Sequence, residues 1–253
     1  MTTNSQHRTT RLAALKRSLR LYRRDAERLD RMAAFYRRFV PERGLAFDVG
    51  AHLGDRTAVF RMLGARVVAV EPDPLLHRAL RLLHGRDSGV VLAQAALGAK
   101  VGEATLRINL HNPTVSTLSD SFIAAADGAQ AWEGQTWTET EDVPVTTLDV
   151  LIAQNGVPDF AKIDVEGYED VVLDGLSRTI PALSFEVTTL DRPAGIRAVE
   201  RLERLGPYRY VLSLGESFAL DSPWSDATEI KRRIEALPEA ANSGDVYARL
   251  SHR

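Results

Sequence analysis

The chain has 253 residues, 44% of them hydrophobic and 26% charged, which fits one α/β domain with an extension and supplies a sizeable core. It contains no cysteine, which excludes disulfides, thiolate catalysis and cysteine-ligated zinc; no apolar run of about 18 residues marks a membrane span, and no signal-peptide stretch follows the Arg-rich start, so a cytoplasmic location is expected. The net charge of −2 is unevenly spread, with 12 Lys/Arg against 4 Asp/Glu (+8) in residues 1–43 and 20 against 30 (−10) in the rest. Such an arm can bind nucleic acid or anionic lipid, but the favoured expectation is a helix that docks on its own body or on a second copy as a homodimer, with no nucleic-acid partner.

In chain order, the first ten residues are expected to be disordered. From Arg11, an apolar stripe through Leu12, Leu15, Leu19 and Tyr22 has the three-and-four spacing of one helical face. Asp25 is placed to cap a second helix carrying Leu29, Met32, Phe35, Tyr36 and Phe39, ended by Pro41. Residues 1–43 thus read as a basic helical arm, and residues 44–253 as the main domain. Its opening run Leu45-Ala46-Phe47-Asp48-Val49 is a buried strand, followed by a glycine-bounded turn from Gly50 to Gly54 and a helix from Thr57 to Leu63. Arg66 to Val70 is a second strand ending in Glu71-Pro72, Pro74 to Leu83 a helix, and Val90 to Ala93 a third strand. This alternation predicts an α/β fold with a parallel sheet and crossover helices.

Gly102 to Ile108 reads as a hairpin strand, and residues 111–142 as a polar insertion suited to an acceptor-binding loop or lid. The alternation resumes with a strand at Val143 to Thr146, a helix at Leu148 to Gln154, a strand at Phe160 to Ile163 and a helix from Glu169 to Leu176. Ala182 to Val187 is a strand and Arg197 to Leu205 a helix, while Tyr208 to Leu214, Ser217 to Leu220 and Asp245 to Arg249 are expected as antiparallel edge strands.

The candidate chemistry sits at strand ends, where open α/β sheets bind ligands. In Asp48-Val49-Gly50-Ala51-His52-Leu53-Gly54, the glycines permit close backbone approach, and the following helix N-terminus offers free N–H groups to a ligand carboxylate. Glu71, 17 residues after Gly54, is placed to accept from ribose hydroxyls, and Asp48 to receive a ligand ammonium. Helix capping is the plainer alternative for both carboxylates. Lys162-Ile163-Asp164-Val165-Glu166-Gly167 ends a later strand; if it stays extended, Lys162, Asp164 and Glu166 share a side. Asp164 and Glu166 are candidates for a general base or hard-cation ligands, against the plainer reading of a salt bridge to Lys162. Of the histidines, His7 and His252 lie near the termini and His77 and His84 on a helix surface, leaving His52 and His111 to reach the cleft, with His111 as a further base candidate.

Together these segments resemble the FkbM-type S-adenosylmethionine-dependent methyltransferases. The matching stretches are Phe47-Asp48-Val49-Gly50-Ala51-His52-Leu53-Gly54, Val68-Ala69-Val70-Glu71-Pro72, Ala96-Leu97-Gly98, Ser116-Thr117-Leu118, Val143 to Asp149, and Lys162 to Glu169 with Leu173 and Gly175 behind it. The resemblance implies a Rossmann-like class I fold, a seven-stranded mostly parallel sheet with one antiparallel strand. It also implies S-adenosylmethionine as cofactor and O-methylation of a hydroxyl on a sugar, glycolipid or secondary metabolite. Asp48, Gly50 and Gly54 with Ala51 and His52 would hold the methionine end, Glu71 and Pro72 the ribose, Ala96 and Leu97 the adenine, and Asp164 would line the methyl-transfer face. Two departures stand out: His52 replaces a usual Asn, and Asp55-Arg56 a more aromatic continuation. A divalent metal is possible but not favoured, because no third ligand is evident beside Asp164 and Glu166. Two alternatives are an NAD(P) oxidoreductase, which would want a G-x-G-x-x-G turn that is absent, and a catalytically degenerate cofactor-binding module whose arm binds RNA or anionic membrane. The arginines of the arm could also shield an anionic acceptor.

Overall fold

The computed structural model describes residues 2–23 and 25–251; the side chains of residues 2–6, 8 and 21–23 lie outside the description, and with them the readings of Tyr22 and His252. The first helix, α1 (Thr2–Arg23), starts well before Arg11, so the expected disorder of the first ten residues is replaced by helix. Asp25 caps α2 (Ala26–Tyr36), its carboxylate accepting from the Arg28 N–H at 2.9 Å. The helix ends at Tyr36, and turns carry the chain through Phe39 to Pro41.

Strand β1 (Leu45–Val49) is buried along its whole length and leads into α3 (Asp55–Met62), β2 (Arg66–Val70), α4 (Pro74–His84) and β3 (Val90–Ala93). The chain continues through β4 (Ala96–Leu97), β5 (Gly102–Ile108), α5 (Asp120–Ala126), β6 (Glu139–Thr146), α6 (Leu148–Asn155), β7 (Phe160–Ile163) and α7 (Glu169–Asp174). It closes with β8 (Ala182–Thr188), α8 (Arg192–Leu205), β9 (Tyr208–Leu214), α9 (Ala227–Glu235) and β10 (Ser243–Leu250). The main sheet runs β3-β2-β1-β7-β8-β10-β9, with β10 antiparallel to both neighbours and the other pairings parallel. This is the expected seven-stranded sheet with one antiparallel strand. Its order reverses beside β1, where a doubly wound sheet opens a crevice at its carboxyl edge.

Several details differ from the sequence reading. The 245–249 segment is inside the sheet, not at an edge. Ser217 to Leu220 forms an irregular loop after the turn at Gly215–Glu216 instead of a strand, and the missed helix α9 follows it, with Asp226 accepting from the Glu229 N–H at 2.9 Å. Ile230 and Ile234 of α9 are fully buried, so its apolar face completes one layer of the core. Residues 111–142 are also more ordered than a loop: they hold α5, capped by Ser119, and the first half of β6, which joins β4 and β5 in a separate three-stranded sheet.

Alternation along β1 sends Phe47 and Val49 to the core layer under α6, α7, α8 and α9, and Ala46 to the layer under α2, α3 and α4. In that second layer Met32, Phe35, Tyr36 and Phe39 interlock with Phe60, Phe160 and Tyr247, with Phe39 stacked on Tyr247 at a 4.9 Å centroid distance. Leu15 and Leu19 of α1 instead rest on Leu53, Leu76 and Ala79, so part of the arm's apolar stripe is covered within the chain. Among the described residues, no helix is long and apolar enough to cross a membrane.

Candidate active site

Two adjoining clefts open at the carboxyl ends of β1, β2 and β7. The first, of about 600 Å³, is lined by Gly50, His52, Glu71, Pro72, Ala96, Leu97, Thr117, Asp164, Glu166 and Tyr168, among others. Gly50 borders it at φ +78°, and a Cβ there would lie 1.8 Å from the Asp164 carbonyl oxygen. A side chain at position 50 would therefore force the ends of β1 and β7 apart. Gly54, at φ +73°, caps α3 and lines neither cleft; a Cβ there would strike Leu80 and His84 of α4.

Glu71 is 5% exposed and accepts from the His52 N–H at 2.8 Å and the Asp73 N–H at 2.9 Å. These bonds tie the glycine turn to the end of β2. Burial pushes the Glu71 carboxyl up to about 8, with Asp73 adding repulsion. Glu169, whose carboxylate accepts from the Val165 N–H and braces the turn after β7, is likewise pushed up to about 8 by burial. A carboxyl whose pKa is raised on folding binds more protons in the native state, so its contribution to stability is lost as pH rises from the unfolded value towards the folded one. We expect the ligand-free protein to melt at progressively lower temperature between about pH 4.5 and pH 8. Glu71→Gln should flatten that slope. Calorimetric melts across the window check this, and a melting temperature that holds or rises contradicts it.

The second cleft, of about 820 Å³, shares Gly50, His52, Thr114, Asp164 and Glu166 with the first and adds Asp48, Ala51, Asp55, Arg56, Lys162, Glu186 and Glu216. Most of its ionisable groups are acidic. Asp48 accepts from the Thr57 hydroxyl at 2.5 Å, and burial pushes its carboxyl up to about 6. His52 is held neutral, its pKa lowered to about 4 by burial. Lys162, 1% exposed, donates to Asp164 and Asp245 at 2.9 Å each. Despite its burial, Asp164 stays below the usual carboxylate range because that ammonium stabilises its charge.

β7 ends at Ile163, and Glu166 sits in a left-handed turn at φ +56°, so the extended alternation does not reach it. The turn nonetheless brings Asp164 and Glu166 together. Glu186 of β8 joins them: one oxygen from each of the three carboxylates lies within 4.8 Å of the others. Burial and the neighbouring carboxylates raise Glu166 and Glu186 well above the usual range. Glu186 is the third carboxylate the sequence reading did not find, and it comes from the strand next to β7 in the sheet. Its signal was a polar pair, Ser184 and Glu186, alternating within the otherwise apolar Leu-Ser-Phe-Glu-Val. Thr117 was also missed; its hydroxyl donates to the Glu166 carbonyl at 2.6 Å and fastens the insertion to this turn.

Three histidine expectations are corrected. His111 is exposed and lines neither cleft, because the Asn109 side chain accepts from the N–H groups of His111 and Asn112 and turns the chain so that Pro113 and Thr114 reach the cleft instead. His77 and His84 are buried rather than on the surface, His84 lying against Gly54.

α1 spans the rims of the first cleft. Arg11 pairs with Asp73 at 2.6 Å on one side, while Arg17 donates to the His111 carbonyl and His7 contacts Glu139 at 2.6 Å on the other. Arg28 of α2 pairs with Asp55 and Glu216. The basic arm therefore spends several of its charges on its own body.

Solved structures with similar folds include a precorrin-6y C5,15-methyltransferase from Geobacter metallireducens at 15% identity and TM-score 0.46, covering 87% of this chain and 86% of that one. A TehB-like SAM-dependent methyltransferase from Corynebacterium glutamicum matches at 9% identity and TM-score 0.49, covering 98% and 100%. A SAM-dependent O-methyltransferase from Thermotoga maritima matches at 12% identity and TM-score 0.44, covering 94% and 72%. No curated protein matches the sequence. The model for the methyltransferase FkbM domain matches residues 48–206, well over half of the chain. The chain belongs to the FkbM family and is an S-adenosylmethionine-dependent methyltransferase.

Proposed function

We propose that this methyltransferase acts in the cytoplasm on a hydroxyl of a sugar, glycolipid or secondary metabolite. The adenosine end of the cofactor lies in the first cleft, with Glu71 and Pro72 at the ribose and Ala96 and Leu97 along the adenine. The acceptor enters the second cleft. The observation that carries this reading is the acidic second cleft, joined to the first at Asp164 and Glu166. A buried carboxylate beside an apolar slot fits a nucleoside, because the carboxylate accepts from hydroxyls while the slot takes the base.

Bound S-adenosylmethionine supplies an electrophilic methyl group on its sulfonium. The protein must orient the acceptor oxygen and take its proton, since a free alcohol is a poor nucleophile at neutral pH. Glu166 is our general base: it borders both clefts, and burial beside other carboxylates raises its basicity above that of an ordinary glutamate. Asp164, ion-paired and held low by Lys162, is the weaker base and instead lines the transfer face with negative charge.

The acidic second cleft favours a neutral or cationic acceptor and disfavours phosphorylated or carboxylated ones, which like charge would repel. Incubation with cofactor and a panel of neutral, amino and phosphorylated saccharides, glycolipids and polyketide alcohols, read by mass spectrometry, tests this. The expected result is a gain of one methyl on a neutral or amino-bearing hydroxyl compound. Preferential methylation of phosphorylated members would overturn the charge reading, and methylation on nitrogen or carbon alone would overturn O-methylation.

A further inference from the structure

Resting on that placement of the cofactor, we infer that Arg56 binds the carboxylate of the cofactor's amino-acid end and so fixes the methyl donor along the cleft. With the nucleoside in the first cleft, the amino-acid end extends past Gly50 and His52 into the second. It carries an ammonium and a carboxylate. Asp48 and Asp164 can receive the ammonium, but the carboxylate needs donors in a chamber dominated by acids.

The glycine turn has few to offer. The N–H groups of Gly50 and Ala51 both donate to the Val70 carbonyl, that of His52 to Glu71, and that of Gly54 to the Ala51 carbonyl. At the start of α3, where free N–H groups were expected for the ligand, the Asp55 carboxylate accepts from the Arg56 N–H at 2.9 Å. Most backbone donors of the turn are thus already engaged, and a charged side chain makes the stronger partner for the carboxylate. His52 is neutral, its pKa lowered to about 4 by burial. Lys162 lines the same cleft but is committed to Asp164 and Asp245.

Arg56 remains. It lines the second cleft beside Gly50, Ala51 and His52, and its side chain is 16% exposed. Its terminal nitrogens meet Asp55, at 3.0 Å, and Glu216, but its buried Nε has no hydrogen-bond partner among the described residues. Glu216 itself is 51% exposed, so one of the two carboxylates on Arg56 can withdraw into solvent and leave room for the ligand's. Arg28, which shares Asp55 and Glu216 with Arg56, keeps that pair charge-balanced when the ligand arrives. The departure of Asp55-Arg56 from the family pattern then has a function: Asp55 accepts from the Arg56 N–H and from its guanidinium, and so orients Arg56 as the carboxylate holder.

Two ligands that differ only at this end separate the possibilities. S-adenosylhomocysteine carries the amino-acid end, whereas 5′-methylthioadenosine keeps the thioether nucleoside and lacks it. Titration calorimetry of the full chain should show Arg56→Gln weakening S-adenosylhomocysteine at least tenfold while changing 5′-methylthioadenosine less than twofold. Retained 5′-methylthioadenosine binding also certifies that the variant is folded. Unchanged S-adenosylhomocysteine affinity, or equal losses for both ligands, overturns the role of Arg56. If the parent protein binds neither, the placement of the cofactor fails instead, which is a distinguishable outcome.

Discussion

Deletion of residues 1–41 is expected to leave the chain unfolded or insoluble, whereas deletion of residues 1–24 is expected to leave it folded with a faster-exchanging cofactor. The two helices of the arm do different physical work. Met32, Phe35, Tyr36 and Phe39 are each no more than 9% exposed and sit between α3 and the sheet, against Phe60, Phe160 and Tyr247. Burial of such side chains is worth about 1.5–3 kcal/mol each, so losing the four removes roughly 6–12 kcal/mol, an upper bound because unfolded chains already bury some apolar surface. A domain of ordinary stability, about 5–15 kcal/mol, does not withstand that loss. α1, by contrast, contributes Leu15 and Leu19 to a small cluster over Leu53, Leu76 and Ala79. Its removal also frees the Arg11–Asp73 pair and the contacts to His111 and Glu139 across the cleft. Circular dichroism and solubility distinguish the two deletions, and stopped-flow release of S-adenosylhomocysteine reads the exchange rate. A folded, soluble protein lacking residues 1–41 would show that α2 is dispensable to the core.

Where local pattern decides the outcome, the sequence was readable. The apolar run of β1, the glycine turn behind it and Glu71 closing β2 follow from period and punctuation alone, and the strands and crossover helices of the body lie within a few residues of their expected bounds. The misread site residues share a cause, which is partners distant in sequence. Glu186 enters the site because β8 lies beside β7, with Lys162 opposite Ser184, a register no short window contains. Arg56 and Glu216 meet across 160 positions. Apolar residues at 217–220 suggested a strand, yet they pack as a loop, and the Asp226 cap that announces α9 was overlooked beside them. His77 and His84 read as surface because polar residues usually face solvent, yet both are buried, His84 by the packing of α4 onto Gly54.

Glu166→Gln is expected to lower kcat by about 10²–10⁴-fold, the usual worth of a positioned general base, while S-adenosylhomocysteine still binds. The pH profile identifies the cause. A base must be deprotonated to accept the hydroxyl proton, so activity falls on the acid side as the carboxylate is protonated. Burial, and repulsion from Asp164 and Glu169, raise the Glu166 carboxyl well above the usual range, so the acid limb should lie nearer neutrality than for an exposed glutamate. The limb should disappear in the Gln variant. The same three carboxylates are spaced as ligands of a hard cation, with Glu186 as the third. Against that, the Lys162 ammonium donates to Asp164 at 2.9 Å, so a divalent ion held by all three would sit close to a fixed positive charge. We therefore expect activity to survive chelator and to gain little from Mg²⁺ or Mn²⁺. Loss of turnover in chelator, restored by either ion, would reassign the carboxylates to a metal that lowers the hydroxyl pKa. An unchanged acid limb in Glu166→Gln would move the base to Glu186, which joins the same cluster and whose carboxyl is likewise raised by burial.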